Sequence, residues 1–347
     1  MQDRKYKFFT KPYDHQREAF NTSAEEQNFA LLLDMGTGKT KVTLDTVGAL
    51  FEKGAIEFVL VVAPKGVIPN WIPEIEAHLP PRIEREVVLW NPSLSKQRKD
   101  ELNKLHEKTK KLKFLLMNVE AFSTEKGTGV AELFVNRFKT FMVVDESTTI
   151  KNRKAKRTKA LCAVGRGSVY RRILTGSPVT RSPLDLFSQM AFLDPKILGF
   201  SSYYAFQGRY SIVQRRTMGA HSFNQVVGFR RLDELTEKLS KHSCRVKKED
   251  CLDLPDKVYT KREVALTKEQ ERAYKQMKKL ALARLDSGEL STTKNVLTQI
   301  MRLQQICCGN LTDDDGKIHT LPSNRIKELL DLCEEVQGKA IIWATWT

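Results

Sequence analysis

The sequence predicts an α/β protein built on a doubly wound parallel sheet. Short apolar runs alternate with polar stretches of helical spacing through the first half of the chain. These runs are aliphatic and β-branched without polar alternation, which is typical of parallel strands covered by helices on both faces. A glycine-rich loop after the first run and an acidic pair after the fifth support the same fold. The predicted strands lie at residues 29–33, 58–63, 87–90, 114–118, 141–145 and 172–175.

The glycine-rich loop spans residues 34–40, between the first predicted strand and a predicted helix at 41–53. Glycines let backbone N–H groups approach phosphate oxygens closely, and a helix N-terminus adds partial positive charge. Lys39 would reach the β- and γ-phosphates of a nucleotide, and the Thr40 hydroxyl would hold Mg²⁺. Leu33 stands where a standard P-loop has its first glycine, so the loop has a shortened G-x-G-K-T form. The predicted phosphate-binding residues are Gly36, Thr37, Gly38, Lys39 and Thr40.

An acidic pair, Asp145 and Glu146, follows the predicted strand at 141–145. Ligands of doubly wound sheets bind at the carboxyl ends of the strands. Asp145 would therefore hold Mg²⁺, and Glu146 would orient and deprotonate an attacking water. An Asp-Glu pair alone also fits a solvated loop. Together with the glycine-rich loop, it predicts a site for Mg²⁺ and a nucleoside triphosphate.

Composition favours a polyanionic partner. The 347 residues carry a net charge of +16, and 41% of them are hydrophobic. This length suffices for two or three domains, and the charge points above all to nucleic acid. The densest basic run, at residues 151–159, has no acidic residue; a solvated helix face is its other interpretation. The six cysteines lack C-x-x-C spacing, which argues against zinc and for a reducing compartment.

The chain pattern changes after residue 183, where an aromatic and basic stretch at 200–229 is predicted to be irregular. The second lobe is predicted to contain strands at 258–266 and 340–346 and a helical insertion at about 267–320. Because an unpaired apolar strand aggregates, we expect the sequence to be truncated inside this lobe. The predicted domains are a first lobe at 1–184, a helical protrusion with a linker at 185–249, and an incomplete second lobe at 250–347.

The order of these segments resembles the SNF2 family of superfamily 2 helicase-like ATPases, which have two RecA-like lobes. Residues 12–16 resemble its adenine-reading segment, in which Gln16 would bond the adenine edge. Residues 145–152 resemble its D-E-A-H-x-x-K-N motif, and residues 174–178 its L-T-G-T-P motif. The resemblance covers nearly the whole chain. Further matches lie at residues 63–71, 245–255, 266–270, 300–307 and 339–347.

The resemblance implies a translocase that uses Mg-ATP hydrolysis to move along the backbone of double-stranded DNA. Backbone contact would make binding largely independent of sequence. The implied coupling residues are Thr148, Thr175, Gly176 and Ser177. The implied DNA-binding residues are Lys65, Lys151, Asn152, Lys154, Lys156 and Arg157.

The expected setting is that of a compact phage or bacterial version of the family. We expect a monomer in the cytoplasm of a bacterial or phage-infected cell, or in the nucleus if the source is eukaryotic. With neither a signal peptide nor an apolar run of bilayer length, we expect no membrane partner.

Two departures from the family pattern affect the expected activity. Ser147 and Thr148 replace the usual Ala and His, and Thr148 could still hydrogen-bond Ser177. The second-lobe arginine that reaches the γ-phosphate is not in the sequence, and such a residue is worth about 10³–10⁵ in rate. We therefore expect the chain to bind ATP and DNA but to hydrolyse ATP poorly. A strand-separating DNA or RNA helicase of superfamily 2, and a nucleotide-gated DNA-binding module without turnover, stay open as alternatives.

Overall fold

The structure is a computed structural model. It describes residues 6–93, 95–107, 109–218, 221–251, 253, 255, 257–286, 293–312 and 316–344. The chain divides into two compact units, Met1–Leu254 and Pro255–Thr347. Within the described ranges, every helix is too short or too polar to cross a bilayer.

The first unit is built around a parallel sheet of seven strands. Its strand order is β3-β4-β2-β5-β6-β1-β9, and all neighbouring strands are parallel. The strands β7 and β8 form a separate antiparallel hairpin. The strand bounds are β1 (Asn28–Leu33), β2 (Phe58–Ala63), β3 (Arg85–Leu89), β4 (Leu112–Asn118), β5 (Thr140–Asp145), β6 (Tyr170–Leu174), β7 (Ser211–Met218), β8 (His221–Phe229) and β9 (Ser243–Val246).

Helices cover both faces of this sheet. Strand β2 shows why, because Phe58 and Leu60 point into one core cluster while Val59 and Val61 point into the other. Short 3₁₀ helices lie at Val119–Ser123, Ser147–Ile150 and Pro183–Asp185. The α-helices are α1 (Asp14–Ser23), α2 (Lys39–Glu52), α3 (Ile68–His78), α4 (Lys96–Lys104), α5 (Glu125–Arg137), α6 (Lys156–Gly165), α7 (Leu186–Leu193), α8 (Tyr203–Tyr210), α9 (Leu232–Ser240) and α10 (Lys248–Cys251).

The prediction of a doubly wound parallel sheet is confirmed, and all six predicted strands lie within two residues of their observed bounds. Strand β9 was not predicted, because it is short and polar and is ordered by pairing with β1. Residues 200–229 were predicted to be irregular, whereas β7 and β8 occupy most of this stretch. Both strands are largely exposed, so they lack the apolar alternation that indicates a half-buried strand. The segment predicted as a helical protrusion therefore contains strands as well as helices.

The second unit is mainly helical in its described part. Its elements are α11 (Lys268–Asp286), α12 (Thr293–Cys307), β10 (Asn310–Thr312), β11 (Ile318–Thr320) and α13 (Asn324–Glu335). The strand predicted at 258–266 is wrong, because these residues form no strand. The strand predicted at 340–346 is wrong for residues 340–344, and residues 345–346 lie outside the described residues. Val258 is 84% exposed and Trp343 90%, so no neighbouring backbone covers these segments. A second RecA-like lobe stays a prediction.

Candidate active site

Three loops meet at the carboxyl edge of the main sheet. The strands β1, β6 and β5 are consecutive in the sheet and parallel, so the segments that follow them start side by side. A Cβ atom on Gly176, after β6, would lie 3.3 Å from Cα of Asp34 and 3.4 Å from the Leu33 carbonyl oxygen. The segment after β6 therefore packs directly on the start of the glycine-rich loop.

The glycine-rich loop is a tight turn that only glycines can make without strain. Gly36 and Gly38 have φ values of +82° and +92°, and Gly38 is the N-cap of α2. The Thr37 hydroxyl donates to the Asp34 carbonyl at 2.7 Å. Nζ of Lys39 donates to the Leu33 carbonyl at 3.0 Å, which holds the ammonium against the loop. The loop thus presents free helix N–H groups and one ammonium to an anion.

Helix α1 fixes this loop from the outside through Gln16, which is buried. Its Nε2 donates to the Thr37 carbonyl at 3.1 Å, and its Oε1 accepts from the Tyr13 N–H at 3.1 Å. Nε2 of His15 lies 2.9 Å from the same Thr37 oxygen. Gln16 therefore positions the phosphate loop, and its bond to an adenine edge stays a prediction.

A cavity of about 470 Å³ opens between α1, the loop and α3. The rings of Tyr13 and His15 stack beside it, with centroids 5.8 Å apart. Its volume is in the range of small-ligand pockets, and its lining combines the glycine-rich loop with flat rings. The lining residues are Thr10, Lys11, Tyr13, Gln16, Gly36, Gly38, Lys39, Thr40, Lys41, Glu74 and His78.

The acidic pair lies at the end of β5, as the sequence predicts. Asp145 is buried, and its carboxylate accepts from Nε1 of Trp71 at 3.1 Å and from the Glu146 N–H at 2.9 Å. Burial raises the pKa of Asp145, and these two hydrogen bonds partly offset it. Burial and the Asp145 charge raise the pKa of Glu146. The positive charge of Lys39 acts in the opposite direction on the pKa of both Asp145 and Glu146. Trp71, a buried residue of α3, thus orients the Asp145 carboxylate.

Glu146 has a strained backbone. Its φ of +46° and ψ of +59° are left-handed, a conformation that costs an L-residue about 1–2 kcal/mol. Strained non-glycine residues concentrate at functional sites, where the surrounding structure holds them in place.

The oxygen atoms at this edge suit Mg²⁺. Asp145 supplies a carboxylate and Thr40 a hydroxyl, both of them hard ligands. Among the described residues, no group of three or more His, Cys, Asp or Glu could hold a metal ion. The donor set therefore fits a Mg²⁺ that is shared with phosphate oxygens, since that ion often uses only one or two carboxylates of a protein.

The residues predicted to couple the motifs are connected differently from the expectation. Within the described part of the chain, no hydrogen bond joins Thr148 to Ser177, although the sequence allows one; the coupling roles of these residues stay predictions. The 3₁₀ helix turns Ser147 inward instead, where its hydroxyl donates to Oε1 of Gln189 at 2.7 Å. Nε2 of Gln189 donates to the Pro178 carbonyl at 2.8 Å. Gln189 of α7 therefore bridges the segments after β5 and β6.

Thr175 supports the segment after β6. It is buried, and its hydroxyl oxygen accepts from the Ser177 N–H at 3.2 Å. Gln189 was missed from sequence. The available signal was a polar residue in the middle of the apolar helix α7.

The basic residues divide into exposed and bonded groups. Lys65, Asn152, Lys154 and Lys156 are exposed. By contrast, Nζ of Lys151 donates to the Thr180 hydroxyl at 2.5 Å, and Nε of Arg157 donates to the Thr149 carbonyl at 3.1 Å. Lys151 and Arg157 therefore stabilise the fold around the acidic pair, in addition to any role in binding a ligand.

The seven-stranded parallel sheet, with a glycine-rich loop and an acidic pair at one edge, defines a RecA-like P-loop fold. The family model for the SNF2-related domain matches residues 13–311. The chain belongs to this family, and membership implies the use of a nucleotide.

Relatives in curated collections are similar over most of this chain. The SWI/SNF chromatin-remodeling complex subunit snf22 of Schizosaccharomyces pombe is 28% identical over 87% of the chain. The probable ATP-dependent DNA helicase CHR12 of Arabidopsis thaliana is 26% identical over 81%. The chain spans only 18% and 24% of these two relatives. A phage or bacterial source stays a prediction.

A solved structure has a similar fold. The Sulfolobus solfataricus SWI2/SNF2 ATPase core in complex with dsDNA matches 95% of this chain, and the match covers 65% of that core. The TM-score is 0.53 and the sequence identity is 24%. This similarity supports the RecA-like fold.

Proposed function

We propose that the chain is the nucleotide-binding core of an ATP-driven motor that acts on double-stranded DNA. The observation that carries the proposal is the meeting of the phosphate loop, the acidic pair and the segment after β6 at one sheet edge. Family membership supports a nucleotide as the ligand. The names of the relatives, which include a DNA helicase and a core bound to dsDNA, support DNA as the partner.

Each residue at the site has a role in this proposal. The loop N–H groups and Lys39 bind the β- and γ-phosphates. Thr40 and Asp145 would hold Mg²⁺, which neutralises phosphate charge when bound. Because burial and Asp145 raise its pKa, the Glu146 carboxylate accepts a proton more readily than a solvated glutamate. It would therefore take the proton of the attacking water.

The nucleotide site is tested by two variants that separate binding from chemistry. Lys39→Ala should abolish Mg-ATP binding in calorimetry, because the ammonium is the loop's only side-chain cation. Glu146→Gln should bind Mg-ATP like the original chain and lose hydrolysis, which is read in single-turnover assays. If folded protein takes up no adenosine nucleotide in the presence of Mg²⁺, the proposal fails.

The DNA-binding role is tested by salt dependence. Exposed Lys154 lies between the acidic pair and α6, and exposed Lys156 is the first residue of α6. If each contacts one phosphate, the double variant Lys154→Gln/Lys156→Gln should make the slope of log K against log salt shallower by about 1.8. The matched control is Lys110→Gln/Lys111→Gln, because these exposed lysines precede β4 at the opposite sheet edge. Equal slopes for the two double variants would remove Lys154 and Lys156 from the interface.

Substrate choice needs its own comparison. Hydrolysis is measured with duplex DNA, single-stranded DNA and RNA at equal nucleotide concentration. The proposal expects the greatest stimulation by duplex DNA. Preferential stimulation by RNA or single strands would instead favour a strand-separating helicase.

A further inference from the structure

The hairpin β7–β8 is an unpartnered ribbon. Residues 212–217 and 222–225 are all exposed, so both faces of this part meet solvent. The ribbon is anchored at its base, where the Arg230 N–H donates to the Tyr210 carbonyl at 2.9 Å and its guanidinium to the Gly208 carbonyl at 2.7 Å. An isolated two-stranded hairpin is marginally stable in water, so a partner surface would stabilise it.

The ribbon carries positive charge without compensation. The ribbon contains Arg215 and Arg216, and Arg230 and Arg231 follow directly after β8; none of the residues 211–232 is acidic. Such a segment is complementary to a polyanion. A two-stranded ribbon also has a width that the major groove of B-form DNA admits.

The two faces of the ribbon differ in what they offer a ligand. Alternate side chains point to opposite faces, so Arg215 and Arg216 lie on opposite sides. Nη2 of Arg215 donates to the Ser222 hydroxyl across the hairpin at 3.0 Å. Among the described residues, the Arg216 side chain donates no hydrogen bond. Of the two ribbon arginines, Arg215 thus bonds across the hairpin, whereas Arg216 has no hydrogen-bond partner among the described residues.

The Arg216 face also carries groups that suit nucleic acid. Arg216 is paired across the strands with Phe223, and Gln214 with Gln225. Glutamine amides and guanidinium groups donate to phosphate and base edges, and a phenyl ring offers a flat apolar surface.

We propose that this ribbon is a second DNA contact, which lies along the major groove with Arg216 on a backbone phosphate. The proposal rests on the duplex-DNA part of the proposed function. It adds a contact outside the sheet edge, on an element that the nucleotide site does not use. Phosphate contact keeps such a contact tolerant of sequence, as a translocating motor requires.

Two single variants of the full chain test the ribbon. Arg216→Gln and Arg215→Gln remove the same charge from neighbouring exposed positions on opposite faces. For Arg216→Gln, the slope of log K against log salt for duplex DNA should become shallower by about 0.9. If the variant and the original chain bind equally at 1 M salt, this change means a roughly eightfold lower affinity of the variant at 0.1 M salt. Arg215→Gln should keep the slope of the original chain. Thermal unfolding and Mg-ATP binding should be unchanged in both variants.

The outcomes separate this proposal from the wider one. If the original chain binds duplex DNA and Arg216→Gln keeps its slope, the ribbon proposal fails alone. If the original chain has no affinity for duplex DNA, the DNA part of the proposed function fails, and the ribbon proposal fails with it. If Arg216→Gln changes the oligomeric state in sedimentation and leaves the slope unchanged, the ribbon is instead a contact between copies of the chain.

Discussion

Replacement of Gly38 by alanine should weaken the phosphate loop through two separate effects. The first is backbone strain, since φ is +92°, and a left-handed L-residue costs about 1–2 kcal/mol. The second is a collision, because the new Cβ would lie 2.2 Å from Nε2 of Gln16. Moving that side chain breaks its bonds to the Thr37 carbonyl and the Tyr13 N–H, which are worth about 1 kcal/mol each.

These values set the expected magnitude. Alanine reduces the conformational entropy of the unfolded chain, which stabilises the folded protein by about 0.4–1 kcal/mol. After this gain is subtracted, Gly38→Ala should lower the free energy of unfolding by about 2–3 kcal/mol. Gly36 is the matched control, because its φ of +82° is similar and its added Cβ would meet only Nζ of Lys248, at 3.9 Å. Gly36→Ala should therefore cost about 1 kcal/mol, from strain alone.

A double-mutant cycle in urea denaturation is the assay. In a Gln16→Ala background the collision is absent, so Gly38→Ala should cost only about 1 kcal/mol of strain. Non-additivity of about 1–2 kcal/mol would report the Gln16 contact with the loop. Equal losses for Gly36→Ala and Gly38→Ala, or an additive cycle, would refute the reasoning. Calorimetric titration with Mg-ATP then shows whether the displaced Gln16 also weakens nucleotide binding.

Further expectations concern the groups around the loop. Glu146→Gly should be about 1 kcal/mol more stable than Glu146→Gln in denaturant titrations, because glycine relieves the left-handed strain, and both variants should lack hydrolysis. Burial raises the pKa of Asp45 from 3.8 to about 6. The stability that comes from protonated Asp45 is therefore complete below pH 3.8 and is lost as the pH rises to about 6. Asp45→Asn should flatten this decline when the free energy of unfolding is measured against pH. Ser147→Ala should cost about 1–3 kcal/mol of stability, because it leaves the buried Oε1 of Gln189 unpaired, while Mg-ATP affinity in calorimetry should be unchanged.

The sequence predicts the main sheet because its strands are buried on both faces. Strands β2 and β5 are buried along their whole length, so their apolar runs stand out from the polar helices. The phosphate loop and the acidic pair could be placed for a related reason, since each must follow such a strand to reach the carboxyl edge.

Features that depend on long-range contacts could not be predicted in this way. Strand β9 has no apolar run of its own and exists because β1 offers a free edge. Trp71 is an apolar core residue by pattern, yet its indole N–H binds Asp145. The strands expected at 258–266 and 340–346 show the opposite failure, in which a β-like run finds no paired backbone among the described residues.

The structure gives a steric alternative to the coupling expected between Thr148 and Ser177. Asp34 is held by the linker, since its carboxylate accepts from the Lys248 N–H at 3.0 Å and its own N–H donates to the Val246 carbonyl at 3.0 Å. Gly176 leaves no free space against the Asp34 backbone. In the proposed motor, a phosphate that takes Lys39 from the Leu33 carbonyl would move Asp34 against both neighbours. Because close-packed interiors transmit strain, we expect this displacement to affect the linker and the segment after β6, which Gln189 connects to the segment after β5.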